Sequence, residues 1–143
     1  MCKKLCVFAG TTEGRELIEL LEGESVSVTA CVATEYGESL LTPREGLTVS
    51  HELLTEEEME KLFRREQFHL VVDATHPYAA AVTENIAAAC ERTGTEYLRL
   101  LRSSAGDAEG AVRVPDIEGA VAYLERTEGN VLLTTGSKEL KKY

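Results

Sequence analysis

The chain has 143 residues, 43% of them hydrophobic and 28% charged, and its 25 acidic and 15 basic side chains give a formal charge of −10. This composition predicts a folded domain and excludes a disordered acidic chain, because the charges are mixed with enough apolar residues to form a core. No apolar run approaches the roughly 18 residues of a membrane helix, and the first residues lack a signal-peptide pattern. We therefore expect a cytoplasmic protein. The lack of a basic block argues against nucleic acid or a membrane as partner and favours small molecules.

The four cysteines are Cys2, Cys6, Cys31 and Cys90. They form no Cys-x-x-Cys pair and no matching histidine cluster accompanies them. We expect reduced, mostly buried thiols and no metal.

Apolar runs alternate with helical patterns along the chain, which is typical of parallel strands joined by crossover helices. Helices are predicted after the first strand, from Thr55, in the alanine-rich stretch that follows Tyr78, and from Asp116. This order predicts an α/β fold with an open parallel sheet, helices on both faces and three layers. The predicted strands, all apolar runs, are residues 5–9, 26–33, 47–49, 69–74, 97–101, 111–114 and 130–135.

Two helix starts carry recognisable caps. Thr55 and Glu58 have the spacing of a capping box, and Asp116 precedes an apolar helical stripe. Ser137 is predicted to cap a further helix for which few residues remain. From this we expect residues 1–135 to form one domain and residues 136–143 to begin a connection to a second domain that the chain lacks.

Three predicted strands end in polar, glycine-containing or hydroxylated loops. Ligands of open parallel sheets bind outside these carboxyl ends, where helix N-termini favour phosphates. The second loop continues from Asp73 through Tyr78, and His76 there either contacts a ligand or caps the helix. The third loop covers residues 134–138. Each loop alone is also compatible with simple turn geometry, and their coincidence favours a nucleotide site. The first loop consists of Gly10, Thr11, Thr12, Glu13, Gly14 and Arg15.

Taken together, these segments resemble the precorrin-6A reductase family of cobalamin biosynthesis. The similarity covers nearly the whole chain, and Asp-Ala-Thr-His-Pro at residues 73–77 is its most specific element. It implies a two-domain, Rossmann-like reductase that passes hydride from NADPH or NADH to a double bond of precorrin-6A, either metal-free or carrying cobalt. The sequence departs from the family where Ser103 follows Arg102 in place of proline.

The resemblance also implies roles for individual residues. His76 and Tyr78 are the expected catalytic residues near the nicotinamide. A corrin precursor carries several carboxylates, which a chain with a net charge of −10 repels, so Arg102 and Lys138 are expected either to bind the substrate or to be solvated surface residues. Gly14 is expected to leave room for the pyrophosphate. The expected cofactor-binding residues are Gly10, Thr11, Thr12, Glu13, Gly14, Arg15, Thr34, Glu35, Thr75, His76, Thr135, Gly136 and Ser137.

Two other functions stay open on the sequence alone. One is a regulatory module that binds a dinucleotide without chemistry, and the other is a flavodoxin-like interaction domain without a nucleotide. The loop at residues 34–37 contains Glu35 and no basic residue. Because a carboxylate there binds ribose hydroxyls and an arginine is needed for a 2′-phosphate, it favours NADH.

Overall fold

A computed structural model of the chain describes residues 2–102 and 109–143, with only the backbone of residues 137–139. The chain divides into two compact units, Met1–Ser103 and Ser104–Tyr143. The first unit contains the sheet and the loops of interest, and the second contains a short helical segment.

The first unit is a five-stranded sheet in the order β3-β2-β1-β4-β5, and every neighbouring pair is parallel. This confirms the predicted α/β class. The strands are β1 (Lys3–Ala9), β2 (Val26–Cys31), β3 (Leu47–Ser50), β4 (Leu70–Ala74) and β5 (Glu96–Arg99). The helices are α1 (Thr12–Leu20), α2 (Glu35–Ser39), α3 (Glu56–Glu66), α4 (Ala80–Thr93) and, in the second unit, α5 (Ile117–Leu124).

Both faces of the sheet are buried, which explains the continuous apolar character of the central strands. On one face, Cys6 and Phe8 of β1 join a core cluster with Met59 and Phe63 of α3 and Ile86 of α4. On the other face, a second cluster forms under α1 and includes Val7, Ala9 and Ile18. Two cores on opposite faces give the three layers that the sequence predicts.

The capping box at the start of α3 is present. The Thr55 backbone N–H donates to Glu58 Oε2 at 2.8 Å, and the Glu58 N–H donates to Thr55 Oγ1 at 3.3 Å. The short helix α2 was not predicted; Thr34 caps it by accepting from the Gly37 N–H at 3.0 Å. Its five residues are too few to produce a helical period in the sequence.

The second unit corrects three predictions. Residues 111–114 and 130–135 were predicted as strands, but no strand occurs among the described residues of this unit. An apolar run indicates only that burial is favoured, whereas a strand also needs a neighbour to pair with; Leu132 is 87% exposed. Ser137 does not occupy a cap position: it is the first residue of a 3₁₀ helix, Ser137–Lys142, with Gly136 before it. Six residues are too few for a stable isolated α-helix, because α-helix nucleation is costly.

Other features of the chain agree with the sequence. Asp116 caps α5 by accepting from the Gly119 N–H at 2.7 Å. Cys6, Cys31 and Cys90 are buried, and all four cysteines are free thiols. None of the described helices is long and apolar enough to cross a membrane.

Candidate functional site

A cleft of about 520 Å³ lies at the carboxyl ends of β1, β2 and β4 in the first unit. It is where parallel-sheet topology brings the loops after these strands together. The residues that line it are Ala9, Gly10, Thr11, Thr12, Glu13, Arg15, Val32, Ala33, Thr34, Tyr36, Gly37, Leu40, Thr75, His76, Pro77, Leu100, Leu101 and Arg102. Two of the three predicted loops thus meet in one site.

The loop between β1 and α1 is tied to the end of β4. The Gly10 N–H donates to the Ala74 carbonyl at 3.2 Å, and the Thr11 hydroxyl donates to the same carbonyl at 2.9 Å. Thr11 also caps α1 by accepting from the Gly14 N–H at 3.3 Å. Because the protein itself uses the Thr11 hydroxyl and the Gly10 N–H, the groups of this loop best placed for a ligand are the first backbone amides of α1.

Gly10 and Gly14 have different tasks in this loop. A Cβ on Gly10 would lie 3.2 Å from Thr75 Cα, so a glycine lets the loops after β1 and β4 approach closely. A Cβ on Gly14 would lie 2.9 Å from Ala74 Cβ and 3.0 Å from Ala9 Cα. Gly14 is buried and packs α1 against the sheet; it does not line the cleft. Helix packing is therefore a reason for a glycine there, and its expected role in leaving room for the pyrophosphate stays a prediction.

The loop after β2 contributes Thr34 to the cleft but not Glu35. Thr34 uses its hydroxyl to cap α2, and Tyr36 and Gly37 follow it in the lining. Glu35 is the first residue of α2 and is exposed.

The end of β4 contains a buried polar cluster that the sequence analysis missed. The Asp73 side chain is fully buried and forms an ion pair with Arg99 at 2.8 Å. Tyr97 donates its hydroxyl to Asp73 Oδ2 at 3.1 Å, and burial, with the Asp73 charge, raises the Tyr97 pKa to about 12. Tyr97 and Arg99 are two positions apart on β5, so their side chains lie on the same face of the sheet. The sequence feature that indicates this cluster is Asp73 itself, a carboxylate at the end of an otherwise apolar strand.

His76 lies in the cleft, whereas Tyr78 does not. The His76 ring accepts a hydrogen bond at Nδ1 from the Tyr78 N–H at 3.1 Å, so in the neutral ring Nε2 carries the proton. The two rings are in edge contact with centroids 5.0 Å apart, and Tyr78 is 92% exposed. The geometry supports a ligand-binding role for His76 more directly than for Tyr78.

Arg102 lines the cleft and forms an ion pair with Glu13, with 2.5 Å between Nε and Oε1. This contact holds the Glu13 pKa below its usual value. Thr135, Gly136, Ser137 and Lys138 belong to the second unit, and the side chains of Ser137 and Lys138 lie outside the described part of the chain. Their expected roles stay predictions.

A second, apolar chamber of about 230 Å³ adjoins the cleft. Gly10, Val32, Ala33, Thr75 and His76 line both spaces. The remaining walls are mainly apolar, with one carboxylate, that of Glu52. The other residues that line only this chamber are Phe8, Cys31, Leu53, Leu54, Met59, Ala79 and Val82.

The sheet order, the glycine turn into α1 and the cleft at the carboxyl edge define a Rossmann-like α/β domain. The family model described as Precorrin-6x reductase CbiJ/CobK matches residues 4–143. The chain belongs to this family, as its resemblance in sequence predicts.

Known proteins with similar sequences bear related names. The cobalt-precorrin-6A reductase of Methanothermobacter thermautotrophicus is 34% identical over 130 residues, which are 89% of this chain and 43% of the relative. The cobalt-precorrin-6A reductase of Synechocystis is 29% identical over 140 residues, or 96% of this chain and 54% of the relative. The chain therefore spans about half the length of the curated relatives it matches.

Solved structures share the fold. The structure titled CobK precorrin-6A reductase superposes with a TM-score of 0.68 at 28% identity, covering 84% of this chain and 48% of that one. The Bordetella bronchiseptica enzyme WbmG, solved in complex with NAD, gives a TM-score of 0.57 at 20% identity over 68% of this chain and 36% of that one. At that identity, the second match shows the fold alone.

Proposed function

We propose that this chain is the cofactor-binding part of a reductase of corrin-ring biosynthesis, which transfers a hydride from NADPH or NADH to a double bond of precorrin-6A or cobalt-precorrin-6A. The observation that supports it most is the cleft at the sheet edge, where the turn into α1 meets the loop of Thr75 and His76. Family membership narrows the substrate to a corrin precursor. We propose that the part of the relatives that this chain does not match corresponds to a second domain, to which residues 136–143 lead.

The cleft suits the phosphates of a dinucleotide. Gly10 adds no side chain at the turn, and the first amides of α1, at Thr12 and Glu13, precede the first intrahelical bond, from Arg15 N–H to the Thr11 carbonyl at 3.3 Å. Such amides favour an anion, and the helix dipole adds to the attraction. Arg15 lines the same cleft and supplies a positive charge.

The apolar chamber suits the adenine ring. A chamber of about 230 Å³ accommodates one flat heterocycle. It is too small to hold both the nicotinamide ring and the tetrapyrrole substrate that must lie beside it. The nicotinamide must face the substrate, so we assign it to the open cleft, on the side of Leu100 and Leu101. Thr34 then lies near the adenosine ribose, with Glu35 beside it.

When bound, the nicotinamide cofactor supplies the hydride. The residues of this chain orient the reactants and shape the electrostatics of the site. Thr75 and His76 form the wall between the two spaces, where His76 Nε2 donates a hydrogen bond to the ligand. Tyr78 packs against the His76 ring. Arg102 and Lys138 are proposed to bind substrate carboxylates, which an overall charge of −10 would otherwise repel.

Two measurements test the proposal. Calorimetric titration of the 143-residue chain with NADH and NADPH should detect binding, and its absence would favour an interaction domain without a nucleotide. The full-length protein, incubated with reduced cofactor and precorrin-6A or its cobalt form, should consume the cofactor absorbance. Binding without turnover of either substrate would instead indicate a regulatory dinucleotide module.

A further inference from the structure

The Asp73 carboxylate, at the carboxyl end of β4, gathers donors from three residues. Its Oδ1 accepts from the Thr75 N–H at 3.0 Å and from the Thr75 hydroxyl at 2.7 Å. Arg99 Nη1 lies 2.8 Å from the same oxygen, and the Tyr97 hydroxyl donates to Oδ2. A buried charge requires such partners, and here they all come from the strand end itself or from β5.

Arg99 extends the cluster to the peptide groups that lead into the site. Its Nη1 is 2.9 Å from the Asp73 carbonyl, 3.0 Å from the Thr75 carbonyl and 3.2 Å from Thr75 Oγ1. The Thr75 hydroxyl also lies 3.1 Å from Thr83 Oγ1 on α4. Residues 73–75 are thus held by the Asp73 side chain, by Arg99 of β5 and by Thr83 of α4.

The next residue after this clamped segment is His76. Its ring forms part of the wall between the cleft and the apolar chamber. On the helix side, α4 has Ala79 at its N-cap position and no side-chain cap, and the loop is held there by backbone, with the Ala79 N–H donating to the His76 carbonyl at 2.9 Å. The backbone that Asp73 and Arg99 contact leads directly into this turn, which carries the His76 ring.

We propose that the Asp73–Arg99 pair and the Thr75 hydroxyl act as a positioning cluster for His76. The cluster holds the loop so that His76 Nδ1 accepts from the Tyr78 N–H and Nε2 presents its proton to the ligand. The ligand part of this inference rests on the proposed function, whereas the tautomer of His76 is a property of the free chain. A buried ion pair adds little to the free energy of unfolding, because the cost of desolvating its two charges offsets their attraction. Stability alone therefore does not account for the Asp73–Arg99 pair.

The test is the tautomer of His76 in the Thr75→Val variant. Valine keeps the shape of threonine but removes the hydroxyl that links Asp73, Arg99 and Thr83. Two-bond ¹H–¹⁵N correlation spectra at about pH 8.5, where ordinary imidazoles are neutral, report which ring nitrogen carries the proton. The parent should show His76 with the proton on Nε2, and Thr75→Val should shift it to a mixture of tautomers.

The chain contains its own references for this spectrum. His69 Nδ1 accepts from the Lys4 N–H at 3.2 Å at the opposite end of β4, so its tautomer should be the same in parent and variant. Thr93→Val is the matched control, because the Thr93 hydroxyl is also hydrogen-bonded, to the Ala89 carbonyl at 2.8 Å, but lies at the far end of α4. An unchanged His76 tautomer in Thr75→Val, or an equal change in Thr93→Val, overturns the proposal.

Nucleotide binding separates this inference from the proposed function. Thr75→Val should weaken NADH or NADPH binding about fivefold to tenfold, the size of one lost hydrogen bond, while Thr93→Val should not. If the parent binds neither cofactor, the proposed function and the ligand part of this inference fail, while the tautomer result still tests the cluster. If the parent binds and Thr75→Val binds equally well, only the ligand part of this inference fails.

A second pair of variants tests Arg99. Arg99→Met leaves the Asp73 carboxylate without its ion-pair partner and is expected to unfold. Arg99→Lys keeps the charge and should restore folding and the parent tautomer.

Discussion

Glu13, in the first turn of α1, and Arg102, just after β5, form an ion pair at the rim of the cleft with 2.5 Å between Oε1 and Nε. The Arg102 side chain is 66% exposed, so it remains accessible to a second anion. A ligand carboxylate that enters the cleft can replace Glu13 as the partner of Arg102. We therefore expect an anionic substrate to meet a positive charge of this domain at this contact.

Arg102→Gln in the full-length enzyme should therefore raise KM for the tetrapyrrole about fivefold and flatten its salt dependence, with cofactor affinity nearly unchanged. Steady-state kinetics at two ionic strengths provide the measurement. Arg64→Gln on α3 is the control, because it removes the same charge from a 60%-exposed ion pair remote from the cleft. A parent-like KM in Arg102→Gln would assign substrate binding to other residues.

Gly14→Val should destabilise the domain, because the added Cβ would lie 2.9 Å from Ala74 Cβ, closer than real Cβ contacts, and 3.0 Å from Ala9 Cα, which is also tight. Overpacking of this kind costs about 1–3 kcal/mol. Chemical denaturation should show the loss, and any weaker cofactor binding should follow from it. Ala81→Val on the exposed start of α4 is the control and should cost much less. Parent-like stability with lost affinity would restore the idea that Gly14 makes room for the ligand.

NADH should bind at least as tightly as NADPH. Among the residues that line the cleft after β2, from Val32 to Leu40, none is basic, and a 2′-phosphate needs an arginine near the ribose. Calorimetry with both reduced cofactors on the 143-residue chain provides the comparison. Tenfold tighter NADPH binding would contradict this prediction and would direct attention to Arg15 as the phosphate ligand.

The Tyr97 hydroxyl should keep its proton to a higher pH than an ordinary tyrosine does. Burial and the neighbouring Asp73 raise its pKa to about 12, above the usual value of 10. The folded state then keeps a proton that the unfolded state releases, so this contribution to stability is complete below pH 10 and is lost as pH rises toward 12. The absorbance difference between the parent and Tyr97→Phe should titrate near pH 12. A difference centred near pH 10 would mean that the Tyr97–Asp73 contact is absent in solution.

The sequence predicts the sheet well and the side-chain partners poorly, for a physical reason. Strands such as β1 and β4 are buried on both faces and so leave continuous apolar runs in the sequence. The capping box of Thr55 is equally local. By contrast, the partners Glu13 and Arg102 are 89 positions apart, and only the packing of the loops brings them together.

Dependence on tertiary packing also explains the other differences between the sequence predictions and the structure. The Asp73–Arg99 pair depends on the register of β4 with β5, which places these two residues opposite each other. The role of Gly14 depends on Ala74, a residue of another strand. The runs at residues 111–114 and 130–135 have strand-like composition, but composition does not specify a pairing partner.

The apolar chamber gives the last prediction, which concerns the two halves of the cofactor. Leu53 lines the chamber and is 80% exposed, so Leu53→Asp should fold normally while placing a charge against the adenine ring. We expect about fivefold to tenfold weaker binding of ADP-ribose, from lost apolar contact and an unfavourable charge, and unchanged binding of nicotinamide mononucleotide. Leu20→Asp is the matched control, because Leu20 is 78% exposed on α1 and lines neither space. Ligand-observed NMR with each fragment distinguishes the outcomes: weaker binding of the nicotinamide fragment alone would reverse the orientation of the cofactor in the site.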